Sequence, residues 1–166
     1  MNSVGYGAVS LAHIGLNEIK KTARPLFLPD GIECPAVKVF KAGKELRIGF
    51  NNIRFVSRDF EDVIRGVTEK NVPSVFVRSR RLARPATTFE ICKKIGKSKA
   101  IRLTHLSYLL GNQKDSFLTP VLINGAPWAV CARWSPDGCG GWGVGVCSVA
   151  GLAGVWVAGY QVLSQV

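Results

Sequence analysis

The chain has 166 residues, 47% hydrophobic and 20% charged, with 22 Lys and Arg against 11 Asp and Glu for a net charge of +11. That length suits a single domain, 1–166, able to bury roughly 70% of its unfolded surface without a metal or disulfide staple. The composition excludes a disordered or collagen-like chain, and no apolar run approaches the ~20 residues of a membrane-spanning helix.

No basic stretch precedes the first apolar residues, because Lys20 and Lys21 follow them, and a secretory signal is therefore not expected. Val9, Leu11, Ile14, Leu16 and Ile19 suit a short helix ending before Pro25. Residues 25–35 read as a loop with a turn at Pro29-Asp30-Gly31. Val37 and Val39, then Leu46, Ile48 and Phe50, then Ile53 and Phe55 alternate with other residues across turns at Ala42-Gly43 and Asn51-Asn52. That pattern predicts a β-meander. Ser57-Arg58-Asp59 opens a helix in which Phe60, Val63, Ile64 and Val67 share a face. Asp59, Glu61 and Asp62 are first-turn acids at its N-terminus. Val75–Val77 is a short strand. Thr87 with Glu90 three residues later is a capping box, opening a helix that runs through Ile95 and breaks at Gly96. Leu103, Leu106, Leu109 and Leu110 form the next helical face, closed by Gly111-Asn112.

The pattern then turns to strands. They span 117–123, 127–134, 142–149 and 155–163, with turn signals at Asn124-Gly125 and Ser135-Pro136-Asp137-Gly138. In the third, Trp142, Val144, Val146 and Ser148 take one face, and Gly143, Gly145, Cys147 and Val149 the other. Strands, helix, helices and strands in that order predict an α+β fold. Residues 1–115 form its scaffold and 116–166 a C-terminal β region.

Charge divides the chain the same way. Residues 78–102 hold nine cations and one acid, whereas 116–166 hold only Arg133 and Asp137. Arg78, Arg80, Arg81, Arg84, Lys93, Lys94, Lys97 and Lys99 are therefore candidate nucleic-acid contacts. The helix, Gly96 and helix passage suits a helix-turn-helix, with Arg80 and Arg81 on phosphates. A solvated face explains a charge run equally well, and no aromatic residue interleaves the lysines.

Five cysteines are present (Cys34, Cys92, Cys131, Cys139 and Cys147) with no CxxC spacing. Reduced thiols packed as small apolar residues are the first reading, ahead of one disulfide or a metal site. A zinc site would need a ligand from His13 or His105, both distant in sequence. There is no GxSxG, HExxH or P-loop. A Cys92 nucleophile with His105 as base is the enzyme reading, but no spacing rule supports it. The expectation is a non-enzymatic protein without cofactor.

The C-terminal third combines Trp128, Trp134, Trp142 and Trp156 with a glycine-rich strand face. Glycine packs nothing and weakens a strand, while Trp supplies large buried area. Such a sheet is a scaffold for a binding surface on an unconstrained outer face. It is equally an ordinary sheet end whose small residues admit another element.

The tail W134-SPDGCGG-W142-GVGVC-S148-V149-AGLAGV-W156-V-A158-G159-YQ-V162-L-S164 resembles the C-terminal region of variable proteins made by diversity-generating retroelements. These are accessory proteins of phages, bacteria, archaea and their viruses. The resemblance covers roughly the last 40 residues. It implies a C-type-lectin-like fold, with two or three helices packed on antiparallel sheets and C-terminal strands forming the ligand face. It also implies error-prone reverse transcription at adenines. From an AAY codon this reaches small, polar and aromatic residues but never Lys, Glu, Met, Gln or Trp. Residues 127–166 contain no Lys, Glu or Met, although they also lack Asn. A buried neutral sheet end would lack charges as well.

Carried onto this chain, the scaffold is Trp128, Trp134, Trp142, Val144, Ser148, Val149, Trp156, Ala158 and Gly159. The diversified, ligand-facing positions within 127–166 are Cys131, Arg133, Gly143, Gly145, Cys147, Val155, Val157 and Tyr160. The partner would be a protein or surface ligand met on a shallow, mostly apolar surface with one cation. No acidic cluster stands in the C-terminal loops to hold calcium. The sequence leaves open the oligomeric state, and whether the chain is displayed on a cell or virion or kept inside.

Overall fold

Strand-forming runs from distant parts of the chain meet in one mixed sheet. The computed structural model describes residues 31–137, 140–147 and 154–166. Its elements are β1 (Gly31–Cys34), β2 (Val37–Lys41), α1 (Ala42–Glu45), β3 (Ile53–Val56), α2 (Arg58–Ile64), β4 (Thr68–Val72), β5 (Val75–Arg81), β6 (Ala86–Thr87), α3 (Thr88–Ile95), a 3-10 turn (Lys97–Lys99), β7 (Ile101–Arg102), α4 (Leu103–Asn112), β8 (Phe117–Ile123), β9 (Ala126–Ser135), β10 (Gly141–Cys147), β11 (Val155–Trp156) and β12 (Gln161–Gln165). The fold is α+β with strands predominating, and Gly31–Val166 form one compact unit.

The central sheet runs β1-β5-β12-β8-β9-β10-β3, with β7 also on β8. Its pairs are antiparallel except β12 with β8, β7 with β8 and β10 with β3. The pairs β2–β4 and β6–β11 stand apart from it. Period-two alternation sorts the side chains of the sheet. One face carries Phe117, Val121, Val130, Ala132, Trp142, Val144 and Leu163, packed with Phe60 and Ile64 of α2 and the four leucines of α4. The other carries Leu118, Ala129 and Val162, covered by Ile91 of α3 and by Trp156. Each large apolar side chain so buried contributes roughly 1.5–3 kcal/mol relative to exposure.

Local chemistry sets the element boundaries. Ser57 Oγ accepts from Phe60 N at 3.3 Å and starts α2. Thr87 Oγ1 accepts from Glu90 N while Glu90 Oε2 accepts from Thr87 N at 2.8 Å, the capping box anticipated for α3. Asn124 and Gly125 both have positive φ (50° and 78°), as a two-residue hairpin turn between β8 and β9 requires.

Several expectations need correction. Residues 31–34, read as loop, form β1 and pair with β5. The β-meander does not form. Ala42–Glu45 is a short helix, β2 pairs with β4, and β3 joins β10 in parallel. The middle run fails because its apolar residues do not share a buried face. Leu46 is buried at 1% exposure, but Ile48 and Phe50 stand 59% and 40% exposed. Asn51 and Asn52 do turn the chain, both with positive φ. They deliver it to β10, where Trp142 N donates to Asn52 O at 2.9 Å. Gly111 and Asn112 lie inside the last turn of α4. The final predicted strand is two, β11 and β12, parted by a turn at Ala158-Gly159 where Gly159 has φ 83°. The helix expected before Pro25, most of the Pro29-Asp30-Gly31 turn, Gly138, Cys139, Ser148 and Val149 fall outside the described residues.

Candidate functional site on the outer face of the sheet

The register of β9 against β10 assembles the surface. Gly143 stands opposite Arg133, Gly145 opposite Cys131, and Cys147 opposite Ala129. Side chains two apart on a strand share a face. Five of the eight ligand-facing positions named from the sequence therefore lie together. Tyr160 joins them from the turn before β12, its ring centroid 4.7 Å from that of Trp156. The Arg133 guanidinium lies 5.9 Å from the Trp156 ring centroid, a cation–π distance. Val155 and Val157 flank the buried Trp156 and are 65% and 66% exposed.

This face is only partly unconstrained. A Cβ on Gly143 would meet nothing closer than 3.9 Å, so a side chain fits there. At Gly145 a Cβ would come within 3.2 Å of Ser57 Oγ and 3.8 Å of Cys131 Sγ. The expectation of a free face is corrected at Gly145, where Ser57, the residue after β3, fills the space beside the strand. Cys131 and Cys147 are half-buried in the small cluster beside α3. Of the implied scaffold positions, Trp142, Val144 and Trp156 are buried, while Ala158 and Gly159 form an exposed turn.

Beyond Gly143 the face opens into a groove of about 500 Å³ between β3, β9 and β10. Arg54, Phe55, Arg133, Trp134 and Asp137 line it beside Gly143. Arg54, Arg133 and Asp137 bring two cationic residues and one acidic residue to its lining, and Phe55 is 61% exposed. Arg54 and Phe55 were not singled out from the sequence, since both fell in the supposed meander. The available signal was an exposed aromatic residue inside an alternating run.

The thiols differ sharply. A hydrogen bond from the Cys147 thiol lowers the Cys131 pKa below the ordinary thiol value against the cost of burial, with the Arg133 charge assisting. The same bond pushes the Cys147 thiol up. Burial raises Cys92, and raises Cys34 to about 11. Burial also raises Tyr160, opposed by the Arg133 charge. The Tyr160 hydroxyl is buried without a well-formed hydrogen bond.

The basic residues take another part of the molecule. Arg78, Arg80 and Arg81 lie on β5, Arg84 in the following loop, Lys93 and Lys94 on α3, and Lys97 and Lys99 on the 3-10 turn. Gln165 Nε2 donates to Ser98 O at 2.7 Å, and Ser164 pairs with Arg78 across the strands. The 3-10 turn is thus tied to β12, the strand that pairs beside Arg78. Arg81 donates to Gly159 O at 3.1 Å, and Arg84 pairs with Glu90 at 3.6 Å. The helix-turn-helix reading is corrected. β7 intervenes between α3 and α4, and α4 is buried against the opposite face of the sheet, where it cannot enter a groove of DNA.

Cys92 and His105 are not brought together, since Cys92 packs in the small outer cluster while α4, which carries His105, packs in the large core. His105 Nδ1 accepts from Arg102 N at 3.2 Å and Nε2 lies 3.1 Å from Pro73 O, so the ring is a neutral helix cap with its proton on Nε2. Glu69, missed from the sequence, completes that cap. Its carboxylate accepts from Leu103 N, Thr104 N and Thr104 Oγ1 at 3.2, 2.9 and 2.6 Å. Among the described residues no group of three or more His, Cys, Asp or Glu is placed to hold a metal, and no helix is long and apolar enough to cross a membrane. Comparison with family models finds no matching family, and comparison with curated proteins and with solved structures finds no similar chain.

Proposed function

We propose that the chain is a non-enzymatic, variable ligand-binding protein with a C-type-lectin-like fold, diversified by a retroelement. It would bind a protein or surface ligand through its C-terminal strands. The element order supports the fold. β5 leads into two helices, α3 and α4, then three antiparallel strands, β8 to β10, and β12 returns to pair with β5. The observation that carries the function is the groove beside Gly143, which joins Arg133 and Phe55 on a rigid paired ladder. Side chains there can change while the backbone bonds stay, and a preorganised surface loses less entropy on binding.

Sequencing the DNA on both sides of the gene tests this reading. The expected finding is a reverse-transcriptase gene and a near-copy of codons 127–166 that differs only where the copy has adenine. Complete flanking sequence with neither would overturn it.

One observation favours a second reading, nucleic-acid binding. Arg78 and Arg80 on β5 and Lys97 and Lys99 on the 3-10 turn are linked through β12, and no ion pair engages them among the described residues. Titration of labelled duplex DNA and single-stranded RNA against rising salt decides it. Phosphate binding weakens linearly on a log–log plot, and Arg80→Ala with Lys97→Ala would flatten that slope. Salt-independent or absent binding removes this reading.

A further inference from the structure

We propose that Cys131 and Cys147 form a redox-sensitive dithiol on the outer face of the sheet, in which Cys131 attacks a low-molecular-weight disulfide and Cys147 resolves the adduct. The proposal is independent of the ligand-surface and nucleic-acid readings.

The geometry carries it. The two side chains share a face of adjacent strands as diagonal neighbours, close enough for each sulfur to shift the other's titration. Both are half-buried, so a small reagent can reach them while bulk water does not surround them. The groups around the pair are Arg133 on β9, Cys92 on α3 and Tyr160 before β12. Arg133 supplies a fixed positive charge that favours a thiolate. Tyr160 keeps its proton at neutral pH, and its hydroxyl is a buried donor beside the pair. Cys34, sealed in the main core, has none of these neighbours in its favour and is held as an inert thiol by burial alone.

The chemistry balances in two exchanges. The Cys131 thiolate attacks one sulfur of R–S–S–R, the S–S bond breaks, and RS⁻ leaves. Cys147 then gives up its proton to solvent and attacks the Cys131 sulfur, expelling the second RS⁻. Two cysteine thiols are oxidised to one disulfide, and the external disulfide is reduced to two thiols. Cys131 stands opposite Gly145 rather than Cys147, so the new bond would join diagonal neighbours. Diagonal Cα atoms lie roughly 7–8 Å apart, near or beyond the ~7 Å limit for an unstrained bridge. The bridge therefore pulls on the β9–β10 ladder and is easily reduced, as suits a reversible modification.

The test is stopped-flow reaction of the full chain with dithiobis-nitrobenzoate, an aromatic disulfide, followed by peptide mapping. The expected result is a fast phase whose pH midpoint lies below that of an ordinary thiol. Its rate at neutral pH should exceed that of an ordinary thiol by about tenfold. Two nitrothiobenzoates should leave per fast event, and a Cys131–Cys147 cross-linked peptide should carry no label. Cys147→Ala should stop at a stable adduct on Cys131, with the midpoint moved up. First labelling at Cys34, Cys92 or Cys139 overturns the proposal, as does a cross-link from Cys131 to Cys92. So does reaction of all thiols together at the rate of unfolding. Mapping the unaltered chain keeps the test decisive if a variant fails to fold.

Discussion

The two faces of the central sheet are built from the same strands and finished differently. The inner face is closed by α2 and α4 over a core of Leu, Ile, Val, Phe and Trp. The outer face has a small cluster of Ile91, Leu118, Ala129, Trp156 and Val162, and its margin is Cys131, Cys147, Arg133 and Tyr160. Stability should therefore reside on the inner face and chemistry on the outer one. Substitutions of matched type on the two faces test that division.

Trp142→Ala should cost most. Trp142 is fully buried, meets Phe117 and Trp134 edge-on at 5.7 and 5.2 Å, and donates from Nε1 to Leu110 O at 2.8 Å. The expected loss is about 4 kcal/mol, read as a fall in the urea midpoint. Trp156→Ala should cost less, about 2–3 kcal/mol, because its cluster is smaller and open at one side. It removes the 2.9 Å bond from Trp156 Nε1 to Thr88 Oγ1 and uncovers the thiols. Labelling of Cys131 should then quicken while the amide-exchange protection of β8 and β9 survives. Equal losses at the two tryptophans would contradict the division.

Polar groups on the inner side give a smaller effect of the same kind. Glu69 is buried and accepts three hydrogen bonds at the start of α4. Glu69→Ala orphans those donors and should cost about 2 kcal/mol, measured by urea denaturation. His105 caps the same terminus in its neutral form, and burial lowers its pKa below the ordinary 6.5. Between its folded and ordinary pKa the unfolded chain binds more protons, so stability rises with pH across that window and is level above it. It is lost as pH falls from about 6.5 towards the folded value. Gln at the third helical position can supply the same acceptor without titrating. His105→Gln should accordingly flatten the dependence of the urea midpoint on pH below about 6.5.

What could be read in advance follows physical range. Local signals held, because Ser57, Thr87 with Glu90, and Asn124-Gly125 act within three residues. Strict alternation also held, so the faces of β8 to β10 were legible, and with them Cys131, Arg133 and Gly143 as one surface. Long-range pairing was not legible. Nothing near Ile53 marks its place beside Trp142, so Arg54 and Phe55 went unread as walls of the groove. Glu69 is separated from the helix it caps by 34 residues. Gly145 signalled freedom by its lack of a side chain, yet Ser57 from another element fills that space.

Arg133→Ala should change stability least and chemistry clearly. Arg133 is exposed and joins no ion pair among the described residues, and exposed substitutions of this kind stay within about 0.5 kcal/mol. Its charge nevertheless favours the Cys131 thiolate and lies over Trp156. Removing it should move the pH midpoint of Cys131 labelling upward and slow labelling at neutral pH, with the urea midpoint nearly unmoved. Arg133→Lys should restore most of the shift, because the charge is what acts on the thiol, while losing part of the planar contact with Trp156. A large loss of stability in Arg133→Ala with unchanged labelling would reverse the assignment. The outer face would then be a second structural core, and the division between the two sides of the sheet would fall.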